Sequence, residues 1–404
     1  MKWLPLSLLI LGHLFTDVAA SALPVVMPML KGAFGLSYFQ MGLAATVLYM
    51  TSSLIQPLVG LFADRWRGAW LIPAAVLTTS VFMGLTGLVP SYGFLLLVLS
   101  LAGVGTAAFH PKGSALAAGV SGTQKGLGMA LFVLGGNFGH ALGPLVAGFA
   151  LLAWGLPGTT VLMVLGGLSA TLLFRVRGDL VEEPVLGSRS RQGLSRSVLI
   201  AVALLCATVS VQSWAYAAIK QFLPLFLQER GWTLGEASWA IFAFLAAGAL
   251  TGVAGGHLSD VMGRMQVIWG SLLLFPPLML AYLSAQGGAT SLLLLLAAGG
   301  VLMAANSVTI VLAQELMPGN AGLAAGLILG LAFGAGGLGV SVTGALADAR
   351  GLHQALLAMG LLPWGALPLA YLLHRRTAVM RRASLPATTE ARDRLTPGEG
   401  RALP

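Results

Sequence analysis

"AWLIPAAVLTTSVFMGLTGLVPSYGFLLLVLSLAGVGTAAF", Ala69–Phe109, holds no charged residue and no histidine over 41 positions. About 20 apolar residues cross a bilayer, and this run carries the turn signal "PSYG" (Pro90–Gly93) at its middle, so it predicts two spans. The same pattern recurs. Gly126–Phe174 has no formal charge over 49 residues and breaks at "GLPG", Gly155–Gly158. Met265–Gln314 has none over 50 and breaks at "QGGAT", Gln286–Thr290. Spans near 4–30, 36–63, 198–228, 236–259, 321–347 and 352–374 bring the expected total to twelve.

The whole chain agrees. It has 404 residues, 57% hydrophobic and 9% charged, with mean hydropathy +0.88, against about 25% charged residues in soluble domains. The net charge of +9 does not mark a nucleic-acid protein, because the basic residues sit in short loops and the tail rather than on one face. A lone cysteine, Cys206, excludes an intrachain disulfide framework and a cysteine metal cluster; it reads as small apolar packing. No metal, cofactor or nucleic-acid partner is expected, and there is no Walker A sequence. The start, "MKWLPLSLLILGHLFTDVAASA", imitates a signal peptide. Its histidine and aspartate are poor signal chemistry, so it reads as the first span. Lys2, Arg65, Arg67, Lys125, Arg175, Arg177, Arg189, Arg191, Arg196, Arg264 and the tail arginines fall on one side, against Lys31, Arg230 and Arg350 on the other. That asymmetry predicts two cytoplasmic termini.

The chain also repeats at an offset of 196 residues: Pro28 with Pro224, Gly60 with Gly256, Asp64 with Asp260, His110 with Asn306. The expectation is an all-α membrane protein of two pseudo-symmetric six-helix bundles, residues 1–175 and 198–375. A cytoplasmic loop, 176–197, joins them and a disordered cytoplasmic tail, 376–404, follows. Parallel repeats of this kind build the major facilitator fold, with a small-molecule site near mid-membrane between the halves. A monomer in the lipid bilayer is expected.

Several motifs bear on function. "GLFADRWRG" (Gly60–Gly68) and "GHLSDVMGR" (Gly256–Arg264) resemble the facilitator loop signature G-x-x-x-D-R-x-G-R. Each aspartate can pair with a basic residue or a helix end, so Gly60, Asp64, Arg65, Gly256, Asp260 and Arg264 are expected to form a conformational latch. "GGNFGHALGPLVAG" carries Gly139, Gly143, Pro144 and Gly148, a small-residue face for a neighbouring helix. It resembles the antiporter signature of the same superfamily. "GAGGLG" (Gly334–Gly339) matches a dinucleotide fingerprint by letter but lacks the strand before it, and is discarded.

His13 and Asp17 lie four apart on one helix face, with Asp17 near mid-bilayer. A carboxylate there can carry a proton, because its proton affinity changes as the cavity hydrates; it can also serve as hydrogen-bonding glue. Gln212, Tyr216 and Lys220 form a polar stripe on the repeat-related helix, expected to face His13 and Asp17, although Lys220 could instead snorkel to the surface. In "AFHPKGSALA", Pro111 loosens the helix beside His110. Lys112 in hydrocarbon costs roughly 2.5–3.5 kcal/mol on insertion scales. Either it faces an anion or it snorkels. His110, Lys112, Asn137, Gln212, Tyr216, Lys220 and Asn306 are the expected substrate cavity. Ser114 with His110 lacks a second base, so an intramembrane enzyme is not expected.

"GHLFTD…LPVVMP", "AFHPKGSALA", "GGNFGHALGPL" and "AQELMPGNAG…FGAGGLG…ALAD" together resemble the fosmidomycin resistance family of major facilitator exporters. The resemblance implies proton-driven antiport of a small, anionic drug-like compound or metabolite across a bacterial inner membrane. The competing reading is a proton symporter or facilitator that imports a metabolite. That family usually has an acid where Lys112 stands, which leaves Asp17, with His13, as the expected proton site.

Overall fold

A backbone in hydrocarbon must satisfy its own N–H and C=O groups, which leaves helices or closed barrels as spanning structures. In the computed structural model the described residues are 1–63, 69–180, 195–285, 287–318 and 320–384, and their regular structure is helical. Among the described residues nine helical segments are long and apolar enough to cross a membrane. One of these, Tyr92–Trp154, is 63 residues long and doubles back at Gly122, whose φ of 57° lies in the left-handed region that glycine tolerates.

Dividing that segment and adding Tyr38–Ala63 and Leu71–Leu85 gives twelve rods among the described residues. They are α1 (Trp3–Phe34), α2 (Tyr38–Ala63), α3 (Leu71–Leu85), α4 (Tyr92–Ser121), α5 (Lys125–Trp154) and α6 (Leu156–Arg175). The second six are α7 (Arg196–Glu229), α8 (Leu234–Met262), α9 (Arg264–Ser284), α10 (Gly288–Leu316), α11 (Gly322–Arg350) and α12 (Leu352–Met380). In the first bundle α1 packs on α3, α4, α5 and α6; in the second, α7 packs on α11 and α12 while α10 packs on α8 and α9.

Several rods are interrupted, and proline explains the first. α1 breaks at Ser21–Ala22 because Pro24 has no N–H for the Ala20 carbonyl. α10 breaks at Ala305, just before Asn306, the repeat partner of His110, which stands beside Pro111 in α4. α11 contains a π-helical turn, Leu327–Ala332. The final helix continues to Ser384, so residues 376–384 are helical where the sequence suggested an unstructured tail. Arg375 there lies over the Tyr371 ring at 5.9 Å, one turn earlier, which is the side-chain spacing a continuing helix supplies. The remainder of the tail and most of the inter-bundle loop lie outside the described residues.

The bundles meet mainly along α2–α11, α5–α8 and α1–α7. The glycine-rich run of α11 makes that approach possible. A Cβ on Gly337 would lie 2.5 Å from Tyr49 Cβ of α2, while within the second bundle one on Gly336 would lie 2.4 Å from Ser213 Cβ on α7. On the other side, a Cβ on Gly148 of α5 would meet Ser238 of α8.

The seal is tightest at the end away from the chain termini. Ser37 and Gln40 form reciprocal bonds at the start of α2: Gln40 N–H donates to Ser37 Oγ (3.2 Å) and Ser37 N–H to Gln40 Oε1 (3.0 Å). This is a capping box. The next two amides, Tyr38 and Phe39, both donate at 2.8 Å to the carboxylate of Asp348, which belongs to α11 of the other bundle. Tyr38 also donates its hydroxyl to Glu229 of α7 at 2.6 Å. At the opposite end, among the described residues, α4 and α10 make no extensive contact, so the described parts of the two bundles are joined at one end and parted between α4 and α10 at the other.

A cap of this kind contributes about 1 kcal/mol. Asp348→Ala is expected to shift the equilibrium roughly fivefold towards the state open at the Asp348 end. Spin-label distances between α2 and α11 in the full chain measure it, and an unchanged distance distribution contradicts the role.

Candidate functional site

Three glycines on α5 meet the backbone of α1. A Cβ on Gly135 would come within 2.9 Å of the Ile10 carbonyl oxygen, one on Gly139 within 2.2 Å of Leu14 O, and one on Gly143 within 2.4 Å of Val18 O. The fourth, Gly136, faces the polar pair itself: a Cβ there would sit 2.4 Å from the His13 ring and 2.8 Å from Asp17 Oδ2. Gly139, Gly143 and the buried Pro144 thus form a face towards α1, whereas Gly148 lies against α8.

His13 is held on every side. Its Nδ1 is 2.8 Å from the Phe132 carbonyl oxygen, which can only accept, so Nδ1 carries the hydrogen. Phe132 also stacks on the imidazole at 4.2 Å between centroids, with Phe109 at 5.6 Å. Neutral His13 therefore turns an Nε2 lone pair to Asp17 Oδ2, 3.4 Å away. The other carboxylate oxygen, Oδ1, is 3.5 Å from His110 Nε2. His110 is the more open member, its side chain 29% exposed against 13% for Asp17. One carboxylate thus lies between two imidazoles, one sealed among aromatic rings and the other reachable from the cavity.

Donor atoms of His13, Asp17 and His110 all lie within 4.8 Å of one another, so by distance alone they could hold a metal ion. The ammonium of Lys220, which acts electrostatically on Asp17, opposes a further cation there. One proton, by contrast, converts either Asp17–histidine contact into a hydrogen bond.

Lys220 does not snorkel. It is 3% exposed, and its Nζ reaches out of the second bundle to within 2.8 Å of His140 Nε2 on α5, with the Tyr49 ring at 5.8 Å. Gln212, of the same stripe, does not turn to His13 and Asp17 as expected. Gln212 donates from Nε2 to Ser271 of α9 at 2.9 Å, a bond within its own bundle, because a buried amide takes the nearest acceptor. Tyr216 stacks near-parallel to Phe244 of α8 at 6.2 Å. Gln212 and Asn306 do share a small cavity of about 20 Å³, with Thr309 and Phe333.

Lys112 is buried at 4% exposure, so it is not an anchor at the surface in this state. Asn137 is exposed and stands apart from the buried cluster. Of the latch residues, Gly60 ends up in the last turn of α2, while Asp64 and Arg65 lie outside the described residues. In the second copy, Arg264 bonds Asp260 and donates to Ser259 Oγ (2.6 Å) and Glu315 Oε1 (3.0 Å). Gly256 of α8 faces Ser307 of α10, whose hydroxyl is 3.5 Å from a Cβ built there. This network ties α8, α9 and α10 of one bundle, and among the described residues it does not cross to the other.

Sequence reasoning overlooked His140, Gly136 and Tyr49. His140 stood inside the quoted glycine motif, three residues after Asn137 and therefore on a shared face; it was passed over because the glycines explained the motif.

The chain matches the profile of the Major Facilitator Superfamily over residues 9–339. It is 33% identical over 352 residues to the fosmidomycin resistance protein of Escherichia coli (strain K12), covering 84% of this chain and 85% of that one. It is also 33% identical over 370 residues to the uncharacterized MFS-type transporter YfnC of Bacillus subtilis (strain 168), covering 88% and 90%. Among solved structures, a bacterial homolog of the human lysosomal transporter Spinster, inward-facing and occupied, superposes with TM-score 0.79 at 17% identity, covering 92% and 96%. That likeness concerns the fold.

The recess at Gly136 yields a prediction. Overpacking costs 1–3 kcal/mol, so Gly136→Ala is expected to lower transport about tenfold at equal membrane abundance. Gly167→Ala, where nothing lies within 4 Å of the added Cβ, serves as the control and should transport like the parent. Transport rate normalised to protein amount measures both.

Proposed function

The chain belongs to the Major Facilitator Superfamily, and from that premise we propose that it exports a small anionic compound in exchange for protons. It is a multi-pass membrane transporter rather than an enzyme. The observation that carries the finer reading is Asp17, set between His13 and His110 and under the field of Lys220.

The proton has a defined place. Because His13 Nδ1–H is committed to the Phe132 carbonyl, a proton arriving through the more open His110 can rest only between Asp17 and an imidazole Nε2. The substrate reaches the same cavity from the end where the bundles are parted, which the distribution of basic residues assigns to the cytoplasm. Its anionic group finds the buried cations Lys220 and Lys112. A hydroxyl or hydroxamate elsewhere on it can donate to Asp17 or His110, the position the proton otherwise takes. Proton and substrate then exclude each other, as exchange requires. Rocking of the bundles parts the Asp348 contacts, releases the substrate and admits the next proton. The bacterial inner membrane, with both termini cytoplasmic, is the setting this reading implies, and the named relative's role in resistance supports outward transport.

One observation favours symport as the second reading. An anion on Lys220 screens the ammonium from Asp17, and a carboxylate without its cation takes up a proton more readily. For a substrate with no donor group, anion and proton would therefore load together.

Proteoliposomes containing the full chain and a trapped pH dye separate these readings. Adding fosmidomycin, the drug named for the relative, to one side should drive protons the opposite way; protons moving with it would establish symport. Asp17→Asn is expected to abolish uphill transport driven by a pH gradient while leaving substrate binding. Normal pumping by Asp17→Asn would overturn the proton site. Lys112→Met should lower the ratio of anionic to neutral ligand recognised, and an unchanged ratio removes Lys112 from the site.

A further inference from the structure

The contact between Lys220 and His140 has chemical consequences that transport of an anion in general does not require. An ammonium has three donors and no acceptor, so at 2.8 Å His140 Nε2 is the acceptor while Lys220 is charged. Among the described residues no carboxylate lies within ion-pair distance of Lys220; its neighbours are a neutral imidazole and the face of Tyr49. A buried charge needs a paired, hydrogen-bonded partner, and an imidazole lone pair supplies only part of that. Asp17 acts on Lys220 only through space.

The position is also particular. Lys220 belongs to the second bundle and His140 to the first. Both lie between the proton cluster and the sealed end, where Tyr49 meets Gly337. Whatever binds both residues therefore bridges the bundles at the level about which they rock.

We infer that Lys220 and His140 form a two-donor oxyanion site, one residue from each bundle, that takes the carboxylate, phosphate or phosphonate group of the substrate. In the empty site His140 accepts from Lys220. An entering oxyanion replaces it as acceptor, and the released neutral imidazole, whose hydrogen is on Nδ1, turns to present that N–H to a second oxygen of the same group. His140 is thus the placeholder for the substrate's charge and then its second ligand. This deepens the proposed function and rests on its anionic substrate, but it makes no use of the proton site.

The test uses the purified full-length chain and two matched probes, methylphosphonate and its neutral dimethyl ester, with binding measured calorimetrically. The parent is expected to bind methylphosphonate in preference to the ester. Lys220→Met and His140→Leu should each weaken methylphosphonate roughly ten- to hundredfold, the worth of a charge-assisted hydrogen bond, and leave the ester unchanged. The double variant should be little worse than either single one, because the two residues act on one group. His140→Gln, which keeps a donor and an acceptor, should restore part of the affinity. The inference is overturned by a parent that does not discriminate the probes or by a His140→Leu that binds the anion as well as or better than the parent. Additive losses in the double variant overturn it too. Any of these outcomes leaves the Asp17 dependence of proton movement standing, whereas a normal Asp17→Asn pump with an intact probe preference sinks the proton site alone.

Discussion

The close approach of α1 to α5 is the constraint on which the site depends. Four glycines of α5 leave no side chain where Ile10, Leu14 and Val18 expose their carbonyls and where His13 and Asp17 project. Any side chain there would meet those groups and force the helices apart. Asp17 would then lose its wall and His13 its bond to the Phe132 carbonyl. Small residues let membrane helices pack at short range. Here the same vacancy holds an ionisable pair in a fixed geometry, so packing and chemistry share one set of positions.

The polar interior draws on both bundles. The first contributes the carboxylate of Asp17, the imidazoles of His13, His110 and His140 and the buried Lys112; the second contributes Lys220, which reaches across to join them. Within each half the supporting contacts stay local: Gln212 is bound to Ser271, and Arg264 to Asp260 and Glu315. Each bundle can therefore move as a body, and the hydrogen bonds that cross between them among the described residues include Lys220–His140, Thr46–Gly337 and those of Tyr38 and Phe39 to Asp348 and Glu229.

Much of this was legible in the sequence, for reasons that can be named. Charge-free runs marked the spans because hydrocarbon penalises charge regardless of context, and Asp17 stood out as the carboxylate near mid-bilayer. The antiporter-like glycines were recognised as a packing face, but not its partner, since spacing gives a surface and says nothing of what covers it. His140 was missed because a histidine carries no formal charge and drew no cost in the reading. Its importance comes from Lys220, 80 positions away. The stripe Gln212–Tyr216–Lys220 was correct in its periodicity. It erred in treating a shared face as a shared destination, for side chains four residues apart can turn to different neighbours. The helix beyond residue 376 was hidden by polar composition, which marks solvent exposure as readily as lack of structure.

The seal at the start of α2 has a bearing on speed. A cycling carrier cannot have either of its end states much deeper than the other, or it would rest there. Asp348 lies at the solvent edge, and the amides of Tyr38 and Phe39 that it satisfies lie there as well. When the bundles part at this end, water can take over as acceptor for those amides and as donor to the carboxylate. The exchange strands no hydrogen-bonding group in hydrocarbon. An apolar plug of equal area would have to be wetted outright, and a buried ion pair would have to be pulled apart in a medium of low dielectric constant. A carboxylate borrowed as a helix cap holds the doorway by only about 1 kcal/mol, which suits a door that must open once in every turnover.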